Sequence, residues 1–405
     1  MKRILYIAAT LPALTVTFIS KEIFRLRALG FEIHTVSMNT PNPGEVGTES
    51  RPLRETTHYL DRVLLLAKLW FFAVMSVRHT GRLVRCLREY CSASPMQGVR
   101  DYARLAYHLL EGGYLAHRYR HSGIEHIHAH FINGPTSIAM FMGLMLDVPF
   151  SFTMHASMIW LDPIAVRNKL GRCKFLVSIS EYNRQYVSSE YGRGYATKIH
   201  VVHCGIDAER TPQMRDSGQP ATIRLLSIGQ LNPRKGFQVL IPACKMLTDR
   251  RVSYQCTIIG EGAQRPELES LIRGHRLEHQ VTLLGAVPHE QIPGFLSRCD
   301  LFVLPCVISK DGYRDGIPVA LMEAMFDRLP VISTDILGLP ELIEDGVSGV
   351  LVPPDDSVRL ADAIAKLAAD VELRRRLGDN GHSKVVDQFN NERSARALAA
   401  LFNGQ

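Results

Sequence analysis

The chain has 405 residues, of which 46% are hydrophobic and 21% charged, and a formal net charge of +7. At roughly 100–200 residues per domain this is chain for two domains of ordinary globular composition, which excludes a disordered, collagen-like or disulfide-scaffold protein. No apolar run reaches the roughly 18 residues of a membrane span, and the eight cysteines form no CxxC pair, so reduced thiols in a cytoplasmic protein are expected.

RILYIAA (3–9) reads as a first buried strand. Pro12 breaks the apolar stretch and no small-residue cleavage site follows, unlike a signal peptide. A helical pattern spans 19–29, and EIHTVSM (32–38) is a second strand. Residues 61–120 then hold ten Lys/Arg against four acids, nearly the whole positive excess. The segment contains LLLAKLWFFAVMSV (64–77), which is too short to span a bilayer. Two readings stand. Either the apolar side packs on the core and the arginines are solvated, or the patch lies on an anionic membrane surface. The aromatics do not interleave with the arginines as a base-stacking platform would, so nucleic acid is not an expected partner.

Further strands are predicted near 124–129, 149–154, 174–179 and 198–202, with helices between them. Residues 207–222 are polar, with two prolines and a glycine, and read as a linker. A second series follows at 223–229, 254–260, 280–285, 300–305, 329–334 and 349–353. Continuous apolar strands alternating with helices predict parallel sheets covered on both faces. The expected architecture is therefore α/β, two doubly wound Rossmann-like domains, with ligands beyond the carboxyl ends of the strands.

The most informative region is DGIPVALMEA (315–324). A loop containing Gly316 and Ile317 precedes a helix expected to start near Pro318, where the missing N–H of proline costs nothing. Such a helix start, with glycine beside it, accepts an anion such as a diphosphate. Asp315 and Glu323 carry carboxylates that can accept hydroxyl hydrogen bonds from ribose and sugar. At the other strand end, Gly229 and Gln230 lead to Arg234-Lys235-Gly236, two cations able to neutralise a leaving phosphate. His126, His128 and His130 alternate along one strand and can share a face. With no carboxylate partner evident on that face, no metal site is expected.

These segments, with GEGAQRPEL (260–268), CGID (204–207), HAHF (128–131) and PFSFTMHASM (149–158), resemble the family-4 retaining glycosyltransferases of the GT-B fold, above all members that build exopolysaccharides of the colanic-acid type. The resemblance covers nearly the whole chain. It implies two domains facing across a cleft. Residues 1–206 would take the acceptor and carry a basic helical insertion at about 58–120. Residues 207–380 would take a nucleotide sugar, and a helix at 381–405 would return to the first domain. It implies Glu323 on the ribose, Asp315 on donor-sugar hydroxyls, Lys235 on the diphosphate, and His155 by the donor sugar. The catalytic set is thus His155, Asp315, Lys235 and Arg234. The nucleotide-sugar set adds Gly229, Gln230, Gly260, Val287, Gly316, Ile317, Pro318, Val319 and Glu323, and Thr15, Thr17 and His130 stand on the acceptor side.

The chain departs from the family pattern at four places. Asp315 replaces a glutamate, Gln230 replaces an arginine, Ala156 follows His155 in place of glycine, and Pro12 to Thr17 replaces a loop that often carries two glycines. The implied reaction is transfer of a hexose from a UDP- or GDP-sugar to a polysaccharide or lipid-linked saccharide, with retention and without metal or other cofactor. The implied location is cytoplasmic, with peripheral attachment to the inner membrane face through 61–120. The alternatives are a small-molecule or natural-product acceptor, a non-catalytic nucleotide-sugar-binding relative, and an epimerase or phosphorylase on the same fold. A nicotinamide oxidoreductase is excluded because no G-x-G-x-x-G follows strand 3–9.

Overall fold

The computed structural model describes residues 1–13, 17–42, 47, 50–155, 158–207 and 221–404. The chain divides into two compact units, Met1–His203 with Glu392–Gln405, and Cys204–Asn391.

The first unit carries a seven-stranded sheet in the order β3-β2-β1-β4-β5-β6-β7. Its strands are β1 (Arg3–Thr10), β2 (Glu32–Asn39), β3 (His58–Tyr59), β4 (His126–His130), β5 (Phe150–Met154), β6 (Phe175–Ser178) and β7 (Ile199–Val201). Every pairing is parallel. The β4 and β5 side chains are buried throughout, as expected of strands covered on both faces. The order reverses between β1 and β4, where Tyr6 stands opposite His128.

The second unit carries a six-stranded sheet, β10-β9-β8-β11-β12-β13, also all parallel. Here β8 is Ile223–Ile228, β9 Tyr254–Ile259, β10 Val281–Gly285, β11 Leu301–Val303, β12 Val331–Thr334 and β13 Val350–Val352. Its order reverses between β8 and β11, the place where open α/β sheets leave a crevice at their carboxyl ends.

The C-terminal stretch corrects the expectation of one helix over 381–405. Helix Val371–Gln388 ends at Phe389, which is fully buried in the core of the second unit. A separate helix, Asn391–Asn403, packs in the first unit and places Phe402 against Tyr6 and Phe175.

The basic insertion forms three helices, Leu65–Arg78, Thr80–Cys91 and Val99–Tyr119. The first is apolar on both its buried and its exposed side. Lys68 is buried, with Nζ donating to Glu111 Oε1 and to the Tyr107 hydroxyl, each at 2.8 Å. Leu66 is 78% exposed, Trp70 68% and Val77 81%. The reading in which the apolar side packs on the core holds for one side of the helix: Met75 is buried and Phe71 and Phe72 pack against the core, while Leu64, Leu65, Leu66, Leu69 and Trp70 face solvent. Among the described residues no helix is long and apolar enough to cross a membrane.

Candidate functional site

In the second unit, the loops that leave β8 and β11 touch at the reversal of strand order. After β8 the chain passes Gly229 and Gln230 into a single tight turn, Pro233–Lys235, closed by Gly236. Gly236 has φ 75°, and a Cβ there would lie 1.7 Å from the carbonyl oxygen of Pro305. Only glycine lets the two loops approach so closely. The Val307 N–H donates to the Arg234 carbonyl at 2.9 Å and ties the loops together.

Across this junction the two cations meet one carboxylate. Arg234 Nε lies 2.9 Å from Asp315 Oδ1, and Lys235 Nζ lies 2.8 Å from Asp315 Oδ2. Neither contact is an aligned hydrogen bond, and Arg234 Nε and Asp315 Oδ2 are left without a hydrogen-bond partner. The attraction is Coulombic and leaves hydrogen-bonding capacity for a ligand. The Lys235 stem lies along Gly229, where a Cβ would sit 3.1 Å from its Cδ and Cε. Gly229 is in turn wedged against Gly260, whose added Cβ would fall 1.9 Å from the Gly229 carbonyl oxygen. The buried Cys306 thiol beside the cluster is no nucleophile: burial pushes it up to about 12, although Lys235 pulls the other way.

Asp315, Gly316, Ile317 and Pro318 lead into helix Val319–Phe326, with Pro318 as its N-cap. The first N–H groups of such a helix have no partner within it, and its dipole favours an anion. Glu323 sits within this helix and binds His289 Nε2 at 2.8 Å. His289 was not among the expected residues, since nothing in the sequence marks an exposed loop histidine. Val287 packs half-buried against the core. Gln230 is exposed, and its amide oxygen accepts from Asn232 Nδ2 at 3.1 Å.

In the first unit, the reversal between β1 and β4 is filled by polar rings. His126, His128 and His130 are all fully buried on β4. Ser151 Oγ lies 2.7 Å from both His126 Nε2 and His128 Nδ1, and Thr153 Oγ1 lies 3.0 Å from His128 Nε2. Burial pushes His126 down to about 3 and His128 well below the ordinary imidazole range. His130 is bonded on both nitrogens, Nδ1 to His155 Nε2 at 3.0 Å and Nε2 to Glu22 Oε1 at 3.1 Å. The same oxygen accepts from the Tyr6 hydroxyl at 2.8 Å.

Glu22 corrects the expectation that these histidines have no carboxylate partner. It comes from helix Thr17–Ala28, over a hundred positions away in sequence, so its approach is invisible until the chain folds. Glu22, His128 and His130 offer ligand atoms within 4.8 Å of one another. Each of these residues already bonds a protein group, which makes the cluster complete as a hydrogen-bond network. Lys169 was also missed: it is buried, pushed down to about 7 by burial, and donates to the carbonyls of Ile132, Asn133 and Ile164. Thr17 is exposed at the start of its helix, while Thr15 and Ala156 lie outside the described residues.

Comparison with known proteins agrees with both halves. Residues 22–210 match the family described as Glycosyltransferase Family 4, and residues 210–384 match Glycosyl transferases group 1. The chain carries a Glycosyltransferase Family 4 domain followed by a Glycosyl transferases group 1 domain. Among curated relatives, it is 38% identical over 208 residues to the amylovoran biosynthesis glycosyltransferase AmsK of Erwinia amylovora, covering 51% of each chain. It is 37% identical over 206 residues to the putative colanic acid biosynthesis glycosyltransferase WcaL of Escherichia coli, covering 50% of each. The matches thus span about half the length of these relatives. HepE of Anabaena, solved in complex with UDP and glucose, superimposes with a TM-score of 0.73 at 16% identity, covering 100% of both chains. At that identity the likeness is one of fold, and the fold is the GT-B glycosyltransferase fold with two Rossmann-like domains.

Proposed function

We propose that this chain is a family-4 glycosyltransferase that transfers a hexose from a UDP- or GDP-sugar to a saccharide or lipid-linked saccharide acceptor in exopolysaccharide assembly, with retention at the anomeric carbon. The observation that carries the reading is the Arg234–Lys235–Asp315 cluster at the strand reversal, next to the start of helix Val319–Phe326. When a glycosidic bond to a diphosphate breaks, negative charge grows on the departing oxygen. Two fixed cations and the helix N–H groups stabilise that charge without reorganising. The reading assigns this task to Lys235 and Arg234, the latter compensating for the arginine absent at Gln230. Asp315 would turn to sugar hydroxyls once phosphate takes its place on the cations, and Glu323 would hold the ribose. His155 would lie by the donor sugar, as the family resemblance implies. The printed name of AmsK and the UDP and glucose bound to HepE support the acceptor class and the donor class.

The test is incubation with UDP-glucose and GDP-mannose, with and without a lipid-linked saccharide. Acceptor-dependent nucleotide release with a new glycosidic product of the donor's anomeric configuration is expected. A sugar altered without acceptor, or nucleotide bound with no turnover, would replace this reading by epimerisation or by a binding role.

We further propose that the insertion rests on an anionic membrane. Leu64, Leu65, Leu66, Leu69 and Trp70 are exposed together, and Arg62, Arg78, Arg85 and Arg88 are exposed on the same helical segment. Apolar side chains entering the headgroup boundary beside a basic rim match an interfacial binder. The protein is expected to float with vesicles containing phosphatidylglycerol at low salt and to be partly released at high salt. Trp70→Glu with Leu66→Glu should abolish flotation, and flotation unchanged in that variant would refute the assignment.

A further inference from the structure

The hydrogen-bond directions around His155 follow from one fixed end. The Glu22 carboxylate is an acceptor, and its Oε1 receives both the Tyr6 hydroxyl and His130 Nε2. His130 Nε2 therefore carries the proton. In neutral His130 the other nitrogen, Nδ1, is then a bare lone pair, and it faces His155 Nε2 at 3.0 Å. That nitrogen must donate, so His155 carries its proton on Nε2 and leaves Nδ1 bare. Among the described residues no group bonds His155 Nδ1, and 7% of the residue remains exposed.

The ring has little freedom to escape this arrangement. The Phe18 and Phe131 ring centres each stand 4.7 Å from its own, and it lies edge to edge with His130, the ring centres 5.3 Å apart and the planes 18° from parallel. Phe131 itself is held at φ 72°, a region costly for an aromatic residue. Its N–H donates to the Thr153 carbonyl at 2.9 Å, and its own carbonyl accepts from Thr136 Oγ1 at 2.6 Å. Burial keeps His155 well below the ordinary imidazole range, with His130 adding to the effect, so the ring stays neutral at neutral pH.

We infer that Glu22 and His130 are positioning residues that lock His155 as its Nε2–H tautomer, so that the bare Nδ1 accepts a hydrogen bond from a substrate hydroxyl and rejects a carbonyl or phosphate oxygen at that point. The identity of the hydroxyl as one from a sugar rests on the transfer reading above. The relay itself does not, because it is visible without substrate.

The experiment is long-range proton–nitrogen correlation on the full chain labelled with 15N-histidine, with His130 and His155 assigned through His130→Gln and His155→Gln. At pH 7.5 both rings are expected as single Nε2–H species. An imidazolium, or a proton on Nδ1 of either ring, would overturn the relay. Glu22→Leu removes the fixed acceptor and should raise the Nδ1–H fraction of His155 several-fold. Glu22→Gln retains an acceptor oxygen and should restore the single tautomer. An unchanged His155 spectrum in a folded Glu22→Leu protein would also overturn the relay. Should that variant not fold, the wild-type and Glu22→Gln spectra still decide. Finally, UDP-glucose or GDP-mannose should shift the Nδ1 resonance. Thermal stabilisation by either one with no such shift would overturn the hydroxyl contact. An intact relay in a protein that transfers no sugar would instead count against the proposed function alone.

Discussion

Lys235→Ala should lower kcat/KM for sugar transfer by about 100-fold or more, the scale of losing one charge partner of a transition state. The Lys235 stem runs along Gly229 and its ammonium reaches Asp315 at 2.8 Å, so alanine removes the cation and leaves Arg234 alone on the carboxylate. The loop itself should hold, because its shape depends on Gly236 against Pro305 and on the Val307 N–H bonded to the Arg234 carbonyl. Loss of turnover with an unchanged melting temperature is the expected pair of results. Turnover within a few-fold of the unaltered protein would remove Lys235 from the reaction. Arg234→Ala supplies the comparison: a loss of similar size is expected if both cations face the leaving group.

Lys68→Met should destabilise the first unit by roughly 3–5 kcal/mol, the cost of stranding one member of a buried ion pair. Burial works against the charge on Lys68, but its bonds to Glu111 and Tyr107 outweigh it and raise its pKa. Burial holds the Glu111 carboxyl above its usual range despite Lys68, and Glu111 Oε2 already lacks a partner. Without the lysine, the carboxyl must stay charged and unpaired or take up a proton. Adding Glu111→Leu should recover most of the loss, since a packed apolar pair can replace a buried ionic one. Urea unfolding followed by tryptophan fluorescence measures this, because Trp70 and Trp160, the two tryptophans of the chain, both lie in this unit. A double variant no more stable than Lys68→Met would mean that the pair is not what holds the helix down.

The helix Leu65–Arg78, with Phe71, Phe72 and Met75 inward and Leu66 and Trp70 outward, shows where reading a sequence stops. LLLAKLWFFAVMSV carries an apolar surplus, and the rule that apolar faces turn inward favours burying it. The outcome depends on Glu111 and Tyr107, on another helix some forty residues away, which draw Lys68 inside and so turn Leu66 and Trp70 out. Periodicity within one helix contains no record of the partner that sets its rotation. The C-terminal break is similar. Residues 380–401 are helical by pattern, but burial of Phe389 in one core and Phe402 in another divides them.

Local rules suffice wherever structure is made by near neighbours. Apolar strands alternating with helices, and glycine and proline at strand ends, were enough for two parallel doubly wound sheets, and for placing Lys235, Asp315 and Glu323 on loops and a helix start at strand carboxyl ends, while most of the expected linker at 207–222 lies outside the described residues. Which groups then meet was decided by tertiary structure alone. Asp315 closes on Arg234 and Lys235 across a gap of eighty residues, Glu323 finds His289, and Glu22 reaches the histidines of β4. The physical reason is that a strand's apolar run, a helix's period and a turn or cap are specified by residues close in the chain. An ion pair or a proton relay is set by the packing of whole elements, and that packing brings together residues with no sequential relation to one another.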